Sequence, residues 1–182
     1  QVQIANYQFV EGMKTYDKAI ASDPLKTDVP FNKAGVLVQM GKFEEAAAIL
    51  SPFEQEDESV KPTLAYIHYQ MGEVDKGDKL LQDTVSRIPK MDRIEQARAS
   101  FAVALAYSAK NEYSQARKYM ELAMDSFPVG PDAESYLTLS YILSPLGEFE
   151  EAEDAIHQAS LISHSELSLH IARASLMLDQ ED

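Results

Sequence analysis

The 182-residue sequence contains no cysteine and no tryptophan. Without a thiol there is no disulfide, no zinc thiolate site and no cysteine nucleophile. The compartment stays open, because a reducing cytosol and a cysteine-free periplasmic protein both fit. Basic charge is scarce: 16 lysines and arginines face 30 aspartates and glutamates, for a formal net charge of -14. That field repels phosphate backbones and anionic lipid surfaces, so nucleic acid and membrane surfaces are poor partners. No apolar run approaches the roughly 20 residues of a membrane span, which argues against direct membrane insertion. Gln1-Val2-Gln3-Ile4 has neither a basic flank nor an apolar signal core, and the missing initiator methionine reads as a cleaved or truncated chain.

What remains is the composition of a folded, soluble protein, 45% hydrophobic and 25% charged. Apolar residues recur at three- and four-residue steps, as in Phe9, Gly12, Met13, Tyr16, Ala19 and Ile20, which predicts helices. All eight prolines fall at expected helix starts or ends. The reading is an all-α chain of ten helices with short connections and no strand. They cover Tyr7 to Ser22, Pro30 to Met40, Phe43 to Leu50, Pro62 to Met71 and Glu73 to Ile88. The rest run from Asp92 to Lys110, Tyr113 to Phe127, Pro131 to Pro145, Phe149 to Ile162 and Glu166 to Leu178. The acidic stretch Glu54 to Glu58 is expected to be a solvated linker.

The helices repeat. Gly41-Lys42-Phe43-Glu44-Glu45-Ala46 returns as Gly147-Glu148-Phe149-Glu150-Glu151-Ala152, with weaker copies at Gly72-Glu73-Val74, Asn111-Glu112-Tyr113 and Tyr7-Gln8-Phe9. Seven residues before the turn residues Gly41, Gly72, Asn111, Gly147 and Asp179 stand Ala34, Ala65, Ala104, Ser140 and Ala172. Five after the first four stand Ala46, Gly77, Ala116 and Ala152, and two after stand Phe43, Val74, Tyr113 and Phe149. Small residues thus recur where two helix backbones must approach closely.

This pattern resembles the tetratricopeptide repeat, a helix-turn-helix unit of about 34 residues stacked into a superhelix. Ala19-Ile20-Ala21-Ser22-Asp23-Pro24 and Ala123-Met124-Asp125-Ser126-Phe127-Pro128 match its closing motif. The turns are spaced 31, 39 and 36 residues apart and the family's tryptophan is absent, Tyr136 standing near its place. The resemblance implies an α-solenoid of about five stacked helix pairs in a right-handed superhelix. Residues 1–182 then form a single repeat domain, or a fragment of a longer array; a HEAT or Sel1-like solenoid is the rival fold.

In such an array the first helix of each pair lines a concave groove. The resemblance therefore points to Asn32, Gln39, Tyr66, Tyr69, Gln70, Arg98, Phe101, Leu105 and Tyr141 as the surface that receives a peptide or protein segment. The opposite reading for the rings is packing between repeats, and for Arg98 an ion pair with Glu95 or Asp92. The family's carboxylate clamp is incomplete: Asn32, Arg98 and Arg173 are widely separated and are opposed by Asp28, Glu134 and Glu166.

Enzyme signatures fail. Gly35 to Lys42 has one residue too many for a phosphate loop, and Phe43 stands where magnesium needs a hydroxyl. His157, His164 and His170 lack helical metal-site spacing, and His68 reads as a core or half-buried histidine. The acidic clusters read as a solvated outer face. No enzyme activity, cofactor or metal is expected. The two functions left open are an adaptor that binds a partner in its groove and a scaffold that self-assembles through uncapped ends. For the latter, Leu167, Leu169, Ile171, Leu176 and Met177 would be exposed.

Overall fold

The computed structural model describes residues 12–18, 28–163 and 166–181. Most of the expected first helix, Tyr7 to Ser22, lies outside the described residues; 12–18 are helical (α1). The remaining helices are α2 (Asp28–Gln39), α3 (Phe43–Leu50), α4 (Val60–Gln70), α5 (Val74–Arg87), α6 (Arg93–Ala109), α7 (Tyr113–Ser126), α8 (Ala133–Leu143), α9 (Phe149–Ile162) and α10 (Glu166–Glu181). Short 3-10 turns built on Pro52, Pro89 and Pro145 follow α3, α5 and α8. Among the described residues there is no strand, and no helix is long and apolar enough to cross a membrane.

Four turns of one design set the architecture. Gly41, Gly72, Asn111 and Gly147 have φ of 71, 77, 60 and 74°. This left-handed conformation is one that glycine, and then asparagine, adopts most readily. Each turn carries the same two caps. Gly41 N–H donates to the Val38 carbonyl and Lys42 N–H to that of Leu37, both at 2.9 Å. The same pairs recur at Gly72 with Glu73, Asn111 with Glu112 and Gly147 with Glu148. These are Schellman caps, which satisfy the last carbonyls of the first helix. The next residue, Lys42, Glu73, Glu112 or Glu148, sits near φ -90 and ψ 60 each time and opens the second helix. Four near-identical hairpins result, α2–α3, α4–α5, α6–α7 and α8–α9.

The small rows are buried where the two helices of a pair meet: Ala34, Ala65, Ala104 and Ser140 against Ala46, Gly77, Ala116 and Ala152. Gly77 differs for a steric reason. A Cβ there would lie 2.5 Å from a ring carbon of Tyr69. The equivalents of Tyr69 are Val38, Ser108 and Ser144, and in those pairs alanine fits. A large side chain on one helix is thus matched by a glycine on the other.

The apolar core is a chain of clusters rather than one centre. One joins α2, α3 and α4 through Leu37, Leu50, Leu64 and Ile67. The next joins α4 to α8 through Tyr69, Leu81, Val103, Met120 and Ile142. The last joins α8, α9 and α10 through Leu143, Ile156, Leu169 and Leu176. Each pair is stabilised by its neighbours, as expected of a quasi-one-dimensional array.

Two expectations are corrected. Asp179 marks no turn, because α10 stays helical through Glu181 and Asp179 accepts a hydrogen bond from Ser144 Oγ at 2.6 Å. Ala172 is buried all the same, with Leu169 and Leu176 against α8 and α9. Nor is the acidic stretch a purely solvated linker. Asp57 Oδ1 accepts from Ser59 N–H at 2.9 Å and from Ser59 Oγ at 2.6 Å, and Glu58 pairs with Arg87. The loop is pinned at the head of α4.

Candidate binding groove

The first helices of successive pairs share one concave surface. Residues from α2, α4, α6 and α8 line a single hollow of about 710 Å³, a size in the range of ligand sites. Its apolar floor comes from Phe31, Val38, Tyr66, Phe101 and Leu105, with Phe127 at one end. Four- and three-residue steps place one stripe per helix toward it: Ser59, Thr63 and Tyr66 on α4 and its lead-in, and Arg98, Ala102 and Leu105 on α6. A second hollow of about 570 Å³ adjoins it, lined by Gln39, Leu137, Thr138, Tyr141 and Ile171. Glu134 lines both.

The expected site residues divide accordingly. Asn32, Tyr66, Arg98, Phe101 and Leu105 come together in the larger hollow, and Gln39 and Tyr141 meet in the smaller. Gln70 is exposed and lines neither.

Tyr69 is not a groove residue. Only 9% exposed, it lies in the seam between α4, α5 and α6, its hydroxyl donating to Asp78 Oδ1 at 2.8 Å. Lys110 Nζ sits 5.5 Å above its ring and 2.8 Å from the same carboxylate. Burial, and then the bond to Asp78, push the Tyr69 phenol far above its ordinary pKa. The hydrogen bonds from Lys110 and Tyr69 hold Asp78 below the usual carboxylate value. The reason for the inward turn is rotational: Tyr69 stands three residues beyond Tyr66, about 300° around the helix, and falls on the flank that faces α5 and α6.

Arg98 is paired, but not with Glu95 or Asp92. Those two form a capping box at the head of α6, Asp92 accepting from Ile94 and Glu95 N–H at 2.9 Å. Arg98 instead donates to Asp57 Oδ2 at 3.0 Å, which ties the α3–α4 loop to the groove wall. Arg173 lies elsewhere, beside Glu153 and His157 between α9 and α10. His68 is half-buried and bonded to Glu73 Oε2 at 2.7 Å. Burial raises the phenols of Tyr66 and Tyr141, so both face the groove as neutral hydrogen-bonding groups.

Sequence reasoning missed Ser59, Thr63, Phe127 and Thr138. The first two could have been found by stepping back from Tyr66 by three and then four residues; Phe127 belongs to the α7–α8 connection, which has no period to follow. Among the described residues no group of histidine and carboxylate side chains is placed to hold a metal ion.

The comparisons with known proteins agree with this geometry. Residues 97–128 and 133–163, which are α6 with α7 and α8 with α9, match the family model described as tetratricopeptide repeat. These units are tetratricopeptide repeats, and the chain as a whole carries the fold of tetratricopeptide repeat proteins. No curated protein matches the sequence.

Among solved structures, a thermophilic TPR protein of Thermus thermophilus is similar over 97% of this chain and 95% of its own, with TM-score 0.68 and 18% identity. The Cut9–Hcn1 hetero-tetramer of the APC/C is similar over 98% of this chain, with TM-score 0.65 and 16% identity; the chain spans 35% of that one. YrrB, a TPR protein with an unusual peptide-binding site, is similar over 95% of this chain and 87% of its own, with TM-score 0.53 and 14% identity. At these identities the likeness is one of fold. Proteins of this fold are in general non-enzymatic scaffolds for protein–protein interaction.

Proposed function

We propose that this chain is an adaptor that receives a peptide or protein segment in its concave groove. The observation that carries this reading is the convergence of Phe31, Tyr66, Phe101 and Leu105, from three successive first helices, on one open apolar hollow. Aromatic side chains offer contact area at low conformational cost. Burying roughly 200 Å² of apolar surface there is worth roughly 5 kcal/mol before the cost of association, which suits reversible binding. The peptide-binding site of YrrB, a protein of the same fold, is in keeping with this role. The clusters that link each helix pair to the next support treating residues 1–182 as one repeat domain, whether alone or within a longer array.

A photo-crosslinking side chain in place of Phe101 tests the reading in native extract, with the same group at Gln82, on the second-helix face, as control. Capture of a partner through position 101 and not through 82 is expected. Capture through position 82 alone contradicts it.

A second reading, self-assembly through the C-terminal end, has one observation in its favour. On α10, Leu167 is 72% and Ile171 53% exposed, with Met177 and Leu178 also outward, whereas Leu169 and Leu176 are buried. A monomeric mass in dilute solution rejects it.

A further inference from the structure

We propose that the segment received by the groove is basic as well as apolar, with an arginine or lysine side chain placed against Glu134. This rests on the groove reading above and narrows it to one class of partner. The argument is a balance of charges within the two hollows. Arg98 is the cation that lines the larger one, and Asp57 already neutralises it at 3.0 Å. Asp132 uses Oδ1 to cap α8, accepting from Ser135 N–H at 2.8 Å and from Ser135 Oγ at 2.7 Å, so its other oxygen stays available. Glu134 is exposed and its side chain has no hydrogen bond or ion pair among the described residues. It is also the residue that the two hollows share.

A segment crossing from one hollow to the other therefore passes Glu134. The apolar floors on either side, Tyr66 with Phe101 and Leu137 with Tyr141, bracket that carboxylate. The pattern they fit is an apolar residue, then a cation, then an apolar residue. The chain's net charge of -14 acts in the same direction, attracting a cationic segment at a distance and repelling an acidic one. An acidic peptide tail, by contrast, meets a neutralised Arg98 and two carboxylates.

The test is fluorescence anisotropy of the purified chain with three labelled, end-blocked peptides of equal length. One is leucine-rich and punctuated by arginine, one is leucine-rich and punctuated by glutamate, and one is glycine-serine with the same arginines. The leucine-arginine peptide is expected to bind more tightly than the leucine-glutamate peptide by about fivefold or more. The glycine-serine peptide is expected to bind more weakly than both. Glu134→Gln should shrink the preference and Glu134→Lys should reverse it, with helicity unchanged by circular dichroism because the site is exposed. Phe101→Ser should weaken both leucine peptides.

Equal binding of the two leucine peptides, each still dependent on Phe101, overturns the cation preference and leaves the groove reading standing. Binding of the glycine-serine peptide as tightly as the leucine-arginine peptide overturns it too, as bulk electrostatics. Leucine peptides that ignore Phe101→Ser, or that fail to bind, remove the groove reading itself.

Discussion

Tyr66 and Tyr69 stand three residues apart on α4 and do different work. Tyr66 faces the open groove beside Phe101 and Leu105. Tyr69 fills the seam against Gly77 and holds Asp78, which Lys110 also grips. In an array of stacked pairs, seam positions set whether the rods pack at all, while groove positions are left for a partner. The two rows accept different substitutions, and that difference can be measured.

The largest effect is expected at the seam. Tyr69→Ala leaves a cavity between α4, α5 and α6 and abandons the Asp78 and Lys110 pair, at about 3–5 kcal/mol in a urea unfolding experiment. Gly77→Ala forces a methyl group against the same ring, at about 1–3 kcal/mol. The double change Tyr69→Ser with Gly77→Ala recreates the serine-alanine pairing found at Ser108 with Ala116 and Ser144 with Ala152. It is expected to cost less than Tyr69→Ser and Gly77→Ala added together, and a strictly additive cycle would break the matched-pair account.

The same seam carries a pH signature. Because Asp78 titrates below its ordinary value in the fold, its contribution is present above the unfolded value of 3.8 and is lost as pH falls through the folded value. Tyr69 and Lys110 are raised, so their contribution is complete below about pH 10 and is lost as pH rises further. Asp78→Asn should flatten the acid limb of a stability profile; an unchanged acid limb would remove Asp78 from the account.

Groove changes are expected to be mild. Tyr66→Ala should cost about 1 kcal/mol of stability, and Arg98→Ala about 1 kcal/mol, since its guanidinium is nearly half exposed while Asp57 is not. With Tyr66→Ala, partner capture should nonetheless be lost. Retained capture at full strength would place the partner elsewhere.

Much of this was legible because hairpins announce themselves locally. A left-handed turn needs glycine or asparagine, so Gly41, Gly72, Asn111 and Gly147 are visible in the sequence, and counting from them recovers the small rows at Ala34, Ala65, Ala104 and Ser140. Counting fails where the period ends. No glycine closes α10, so the count puts at Asp179 a turn that the helix does not make. The side to which Tyr69 falls follows from its place around α4, but the room for its ring depends on Gly77 opposite, which is read only once the two helices are paired. The grip of Asp57 on Arg98 joins a loop to a helix 41 residues later, with no repeat to predict it.

The central claim, that function lies on the inner face of the first helices, is tested most directly by backbone amide chemical-shift mapping while the leucine-arginine peptide is added. The account predicts shifts at Asn32, Tyr66, Arg98, Phe101, Leu105 and Glu134, with α5 and α7 unmoved. Shifts confined to α3, α5, α7 and α9 would contradict it.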